Sequence, residues 1–140
     1  MANEIIIDAQ GAVVGRLASF AAKKALQGNK IIVVNAEKAR IIGRKSVILD
    51  DYIKKRALGK GVQKGPHFPY RSDMILRRMI RGMLPWKRTT GREKFREIKC
   101  FISIPVEYQN KMKDAVKFEI KNALNYLTLE ELSKLIRYNG

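Results

Sequence analysis

Strand, helix and strand follow one another within the first 36 residues, and that order restricts the chain to a sheet with parallel strands. Glu4-Ile5-Ile6-Ile7-Asp8 is a short apolar run bounded by acids, the pattern of a buried strand. After Gly11 come Val14, Leu17, Ala18, Ala21 and Ala25 at helical spacing, and Gly28-Asn29 supplies a helix stop. Residues 30–36, KIIVVNA, are rich in β-branched apolar side chains, as in a strand covered on both faces. A helix of about fourteen residues between two such strands makes a βαβ unit. Its crossover is expected to be right-handed and its strands parallel.

Further along, Ile41-Ile42-Gly43 reads as a short extended piece. Ser46 reads as the cap of a helix running to about Ala57, with Asp50 and Asp51 on its wet side. Residues 58–70 contain Gly59, Gly61, Gly65, Pro66 and Pro69 and read as a loop without regular structure. Residues 72–84 read as a helix with Leu76, Met79, Ile80 and Met83 facing inward, stopped by Pro85. A strand is expected over 97–104, ahead of Pro105. Beyond it Met112, Ala115, Val116, Ile120, Ala123, Leu124 and Leu127 share one helical stripe. Thr128-Leu129-Glu130-Glu131 matches a capping box that opens a last helix, with Leu129, Leu132 and Ile136 buried. The length fits one domain spanning residues 1–140, without internal repeat or long linker. The expected fold class is α/β: a small, mostly parallel four-stranded sheet, a basic loop–helix–loop extension and a helical C-terminus.

The extension is where the charge sits. Between Lys54 and Lys99 stand fifteen Lys or Arg residues and three acids, Asp73, Glu93 and Glu97. This third carries +12 of the net +16, against +3 for residues 1–53 and +1 for residues 100–140. Such an asymmetry repels itself on compaction, and a polyanion resolves it, nucleic acid foremost. The hydrophobic fraction of 46% separates the chain from disordered basic tails. A membrane-surface segment would concentrate its charge beside one wide apolar face, whereas here glycines and prolines interrupt it. No run reaches the roughly 18 apolar residues of a spanning helix. Met1 to Gln10 carries two acids and no basic leader. Cys100 is the one cysteine, which excludes an intrachain disulfide and fits a reducing compartment. The expected address is cytoplasmic.

Catalytic patterns are weak. Gly11-Ala12-Val13-Val14-Gly15-Arg16 matches neither the GxxxxGK[ST] phosphate loop nor GxGxxG. Its glycines read as a tight turn and a close helix–strand approach, with Arg16 near the helix start as a phosphate contact. His67 is the one histidine and zinc-ligand spacing is absent, so no metal is expected. Cys100 lies in an apolar run and reads as a small core residue. Asp50 and Asp51 are helix neighbours that point apart. No enzyme and no cofactor are expected.

The helix at 72–84 is the sharpest feature. Arg77, Arg78 and Arg81 fall on one face by their i+3 and i+4 spacing, opposite the apolar stripe. An ordinary solvated helix interleaves acids among its bases, and none stands between Arg77 and Glu93. The guanidinium fork suits bidentate phosphate contact, so this face is expected to bind phosphates. Lys54, Lys55, Arg56, Lys60, Lys64, Lys87, Arg88 and Arg92 extend the basic set on either side. Pro66-His67-Phe68-Pro69-Tyr70-Arg71 and Pro85-Trp86-Lys87-Arg88 interleave rings with charge, a habit of RNA recognition. Phe68, Tyr70 and Trp86 are either stacking platforms for unpaired bases or plugs that hold these segments to the core.

At these residues the chain resembles the universal large-subunit ribosomal protein thirteen (L-thirteen) family, in its archaeal and eukaryotic branch. The resemblance runs through Ile7-Asp8-Ala9, Gly11, Gly15-Arg16-Leu17-Ala18-Ser19, Val33-Val34-Asn35-Ala36-Glu37 and Ile42-Gly43. It is most specific at His67, Pro69, Arg71, Arg77 and Ile80-Arg81-Gly82-Met83-Leu84-Pro85, and continues through Gly91 to Ile104-Pro105. It implies a three-layer α/β/α fold and a structural and assembly role on large-subunit rRNA, without catalysis. Neighbouring large-subunit proteins are the other implied partners, and no homo-oligomer is expected. The implied RNA-facing residues are His67, Arg71, Arg77, Arg81 and the bases just after Pro85. A stand-alone regulatory or architectural nucleic-acid binder is the alternative. A DNA reader would carry Asn, Gln or Arg for base edges on a recognition helix, often in a dimer. The 72–84 helix offers arginines and no dimer seam. An RNA-modifying enzyme would need a carboxylate or cysteine site beside a glycine loop.

Overall fold

The computed structural model describes residues 3–58, 68–118 and 124–139. Strand β1 (Glu4–Asp8), helix α1 (Val14–Leu26) and strand β2 (Lys30–Val34) form the expected βαβ unit. The strands pair in parallel, with Ile5 opposite Ile31 and Ile7 opposite Val33. Gly28 closes α1 at φ +98°, a conformation that glycine adopts without strain. A 3-10 turn at Ala36–Lys38 leads to β3 (Arg40–Ile42) and α2 (Lys45–Ala57). Helices α3 (Ser72–Gly82) and α4 (Thr89–Arg96) precede β4 (Ile98–Cys100). The short helix α5 (Val106–Gln109), a 3-10 turn at Met112–Asp114 and β5 (Val116–Lys117) follow. Strand β6 (Tyr126–Thr128) and helix α6 (Leu129–Asn139) come last.

The main sheet has the order β4-β2-β1-β5, with every pairing parallel. Right-handed crossovers account for its layers. The steps from β1 to β2 and from β2 to β4 run the same way across the sheet, so the intervening helices share one face. The step from β4 to β5 runs back, so residues 101–115 cover the other face. Alternation along the strands agrees. Ile7, Ile31, Val33 and Ile98 join the large core with Leu17, Ile75, Leu76 and Ile80. Ile6, Ile32 and Val34 meet Phe101, Ile104, Tyr108 and Met112. Strands β3 and β6 pair antiparallel in a separate two-stranded sheet.

Buried polar groups fasten the loops at the C-terminal ends of these strands. The Asp8 carboxylate accepts from the Asn35 side-chain amide at 3.0 Å and from the Gln10 N–H at 3.0 Å. Asn35 takes a left-handed conformation, φ 57°, which Asn tolerates better than most residues. The Glu37 carboxylate accepts from the Ser103 N–H at 3.0 Å.

Several expectations need correction. Ser46 is not a cap: α2 already begins at Lys45, and Arg44 stands at the cap position without a side-chain bond. Helix α3 ends at Gly82, so Met83 lies beyond it and is 45% exposed, while Ile75 takes an inward place. The strand expected over 97–104 is confined to Ile98–Cys100. The stretch after Pro85 contains α4, which no apolar stripe announces. Among the described residues, the expected helical stripe from Met112 to Leu127 is instead a 3-10 turn and two short strands. Val116 pairs with Ile7 and Leu127 with Ile41, and such strand pairing overrides a periodicity read over short runs. Ile120 and Ala123, and most of the loop expected at 58–70, lie outside the described residues. The capping box is half formed: the Glu131 N–H donates to Thr128 Oγ1 at 3.3 Å, and Leu129, Leu132 and Ile136 are fully buried.

Gly91 sets how closely α4 approaches the turn after α3. A Cβ there would stand against the Pro85 carbonyl oxygen, well inside contact distance. Gly91→Ala is therefore expected to lower stability by about 2 kcal/mol or more, read as a fall in the thermal midpoint of the full chain. An unchanged midpoint would show that the Pro85 turn yields freely.

Candidate nucleic-acid interface

Helix α3 presents its arginines because its other side is held down. Ile75, Leu76 and Ile80 are fully buried, and each such side chain stabilises by about 1.5–3 kcal/mol. The three arginines opposite are not equivalent. Arg77 Nε donates to the Ile98 carbonyl at 3.0 Å and Nη2 to the Phe95 carbonyl at 3.3 Å. Its guanidinium lies 4.1 Å from the Phe95 ring centroid. Strand β4 is at the sheet edge, and the Phe101 N–H donates to the Val33 carbonyl at 2.8 Å. Backbone alternation then turns the Ile98 carbonyl away from β2. Arg77 thus covers an open sheet edge. Arg81 faces outward and lies 4.1 Å from the Trp86 ring centroid. Arg78 is exposed beside it.

Trp86 is positioned from three sides. Phe95 meets it edge-on at 5.2 Å. Arg92 Nε donates to its carbonyl at 3.0 Å, and Arg81 covers its ring. Phe68 packs on Tyr52 with ring centroids 5.6 Å apart. Both rings are therefore wedged against the protein, whereas Tyr70 is 40% exposed. Between α2, α3 and the Leu84–Trp86 turn opens a cleft of about 470 Å³, walled by Tyr52, Phe68, Met79, Leu84 and Trp86. Lys55, Arg78 and Arg81 line it as well. Lys55 lies 4.5 Å from the Tyr52 ring centroid and pairs with Asp51 at 3.6 Å. Burial, and then the Asp51 carboxylate, push the Tyr52 hydroxyl up to about 12.

The other expected contacts are distributed differently. Arg56 Nη1 donates to the Ile136 carbonyl at 3.4 Å, and its guanidinium lies 5.5 Å from the Tyr70 ring. Arg137 lies 5.9 Å from the same ring. Arg71 pairs with the buried Asp73 at 3.2 Å. Lys54, Lys87 and Arg88 are exposed, and Arg16 is exposed on the first turn of α1. Lys60, Lys64 and His67 lie outside the described residues. Sequence reasoning missed Tyr52, Leu84 and Arg137. Tyr52 and Lys55 stand at i, i+3 on α2, which was a usable signal for the first.

Cys100 sits at the edge of the large core. Burial pushes its thiol up to about 12, with nearby Arg77 pulling it down and Asp73 raising it further. That suits packing, and a nucleophile requires the opposite shift. Among the described residues no group of three or more His, Cys, Asp or Glu is placed to hold a metal, and no helix is long and apolar enough to cross a membrane.

Two predictions follow from this geometry. Arg77→Ala is expected to cost about 1–3 kcal/mol of stability through its lost charged hydrogen bonds, measured by denaturant unfolding; an unchanged midpoint would show that these bonds are dispensable. Alkaline pH should also destabilise the fold. Cys100 ionises near 9.0 when free and near 12 when folded, so its contribution is intact below pH 9.0 and lost as pH climbs toward 12. Tyr52 acts in the same direction between 10.0 and about 12. Urea midpoints should fall across this range, and less steeply in Cys100→Ala.

The sequence model of the family described as ribosomal protein L13 matches residues 2–107. The large ribosomal subunit protein uL13 of Archaeoglobus fulgidus is 40% identical over 139 residues, covering 96% of this chain and 88% of that protein. The protein of the same name from Methanopyrus kandleri is 44% identical over 138 residues, covering 95% and 86%. That from Methanocaldococcus jannaschii is 43% identical over 132 residues, covering 92% and 94%.

Proposed function

The chain belongs to the ribosomal protein L13 family, and we propose that it is a structural constituent of the large ribosomal subunit. It binds and organises large-subunit rRNA, contributes to subunit assembly, and works in the cytoplasm without catalysing a reaction. Its partners are that rRNA and neighbouring large-subunit proteins, and it acts as a single copy. The observation that carries the reading is the +12 charge of residues 54–99 around α3, whose apolar side is buried. With that side immobilised, the basic groups meet a polyanion without first paying for their own ordering.

The contacts fall into grades. Arg78, Arg81 and Lys55 line the aromatic cleft and form the centre of the surface, with Arg92 bonded to the Trp86 carbonyl beside it. Lys54, Lys87, Arg88 and Arg16 are exposed and add phosphate contacts around it. Lys60, Lys64 and His67, which lie outside the described residues, are proposed as RNA contacts from the sequence alone. Arg56 and Arg77 donate to backbone carbonyls and Arg71 pairs with Asp73, so they position the surface as well as charging it.

Affinity against salt is the test. Binding to intact large-subunit rRNA should survive moderate salt, while binding to duplex DNA of similar length should be weak and steeply salt-sensitive. Equal, steep curves for both would favour a stand-alone nucleic-acid binder instead. Arg78→Ala combined with Arg81→Ala should shallow the log–log slope for rRNA by roughly 1.5–2, with the thermal midpoint retained. An unchanged slope would remove these two residues from the interface.

A further inference from the structure

We propose that the cleft between α2, α3 and the Leu84–Trp86 turn receives one unpaired nucleobase of the bound RNA. The phosphates flanking that base lie on Lys55, Arg78 and Arg81. The proposal rests on the RNA-binding reading above and adds a specific chemical site to it.

Shape comes first. A volume of about 470 Å³ falls within the roughly 300–1,000 Å³ typical of small-ligand sites. The walls are what a flat aromatic ligand needs: Tyr52, Phe68 and Trp86, with Phe95 packed edge-on against Trp86. Arg81 stacked on Trp86 adds a planar cation, and bases stack on guanidinium planes as well as on rings.

Charge selects the occupant. Lys55, Arg78 and Arg81 line the cleft, and no acid among the described residues does. A purely apolar plug from a protein partner would offer nothing to the basic groups that line the cleft, whereas an extruded nucleotide brings its own phosphodiesters. Double-helical RNA does not fit, because its bases are stacked within the duplex.

Gly82 provides a clean way to close the site. It lines the cleft at the end of α3, and a Cβ built there meets nothing within 4 Å. A larger residue at 82 therefore occupies the opening without altering any charge, and it suits a helix better than glycine does.

Trp86 is the one tryptophan of the chain, so its fluorescence reports on the cleft directly. The full chain is titrated with an end-labelled oligoadenylate hexamer and with a hexamer of the same ribose-phosphate backbone lacking bases. Anisotropy gives affinity and Trp86 emission gives occupancy. The hexamer should bind about tenfold tighter than the abasic oligomer and quench Trp86 to saturation, while the abasic oligomer binds without quenching. Gly82→Leu should reduce hexamer affinity to the abasic level, leaving abasic binding and the thermal midpoint unchanged. Equal affinities for the two oligomers, or a Gly82→Leu chain that still distinguishes them, overturns the proposal. Either result with rRNA binding intact refutes the cleft alone; loss of rRNA binding by the unaltered chain refutes the wider RNA reading.

Discussion

Three fully buried side chains on α3, Ile75, Leu76 and Ile80, hold the most highly charged third of the chain against the sheet. Charges of one sign repel most strongly when brought close in low dielectric, so residues 54–99 have no electrostatic reason to compact. Burial of apolar surface supplies one. Once α3 is seated, the turn after it carries Leu84 into the core and places Trp86 beside Phe95. Helix α4 then leads into β4, whose pairing with β2 completes one side of the sheet. The basic surface is thus a consequence of core packing, and its rigidity is inherited from that packing.

The arginines show how one residue type serves two purposes within a single turn of helix. Arg77 donates to the Ile98 carbonyl on the edge strand and to the Phe95 carbonyl on α4, while Arg81 lays its own guanidinium over the Trp86 ring. Both contacts use the same planar cation, which donates in its plane and stacks on its faces. A lysine would satisfy neither fully, because a point charge makes no planar stack. The difference in role comes from what lies opposite each position: the edge of β4 in one case, the half-buried Trp86 ring in the other.

Much of the chemistry was legible in the chain, though its geometry was not. The cluster of bases, the lack of acids between Arg77 and Glu93, and the rings around α3 all pointed to the segment that forms the basic surface. Phe68 and Trp86 carried no sign of whether they stack on a ligand or on the protein. Their neighbours Tyr52 and Phe95 come from a helix upstream and a helix downstream, so only folding brings them into contact. Arg77 looked interchangeable with Arg81 for the same reason, since the Ile98 carbonyl stands 21 residues away along the chain.

The sequence by itself determined the βαβ unit, the last helix and the sign of the surface charge. Each depends on local periodicity, a cap or a count, which neighbouring residues settle among themselves. Tertiary structure alone decided that Val116 and Leu127 lie in strands, that α4 packs at Gly91, and that Lys55, Arg78 and Arg81 meet around one cleft. These features depend on pairings between distant segments, where the energy of a strand edge or a buried ring outweighs the weak local preferences that a short run of residues expresses.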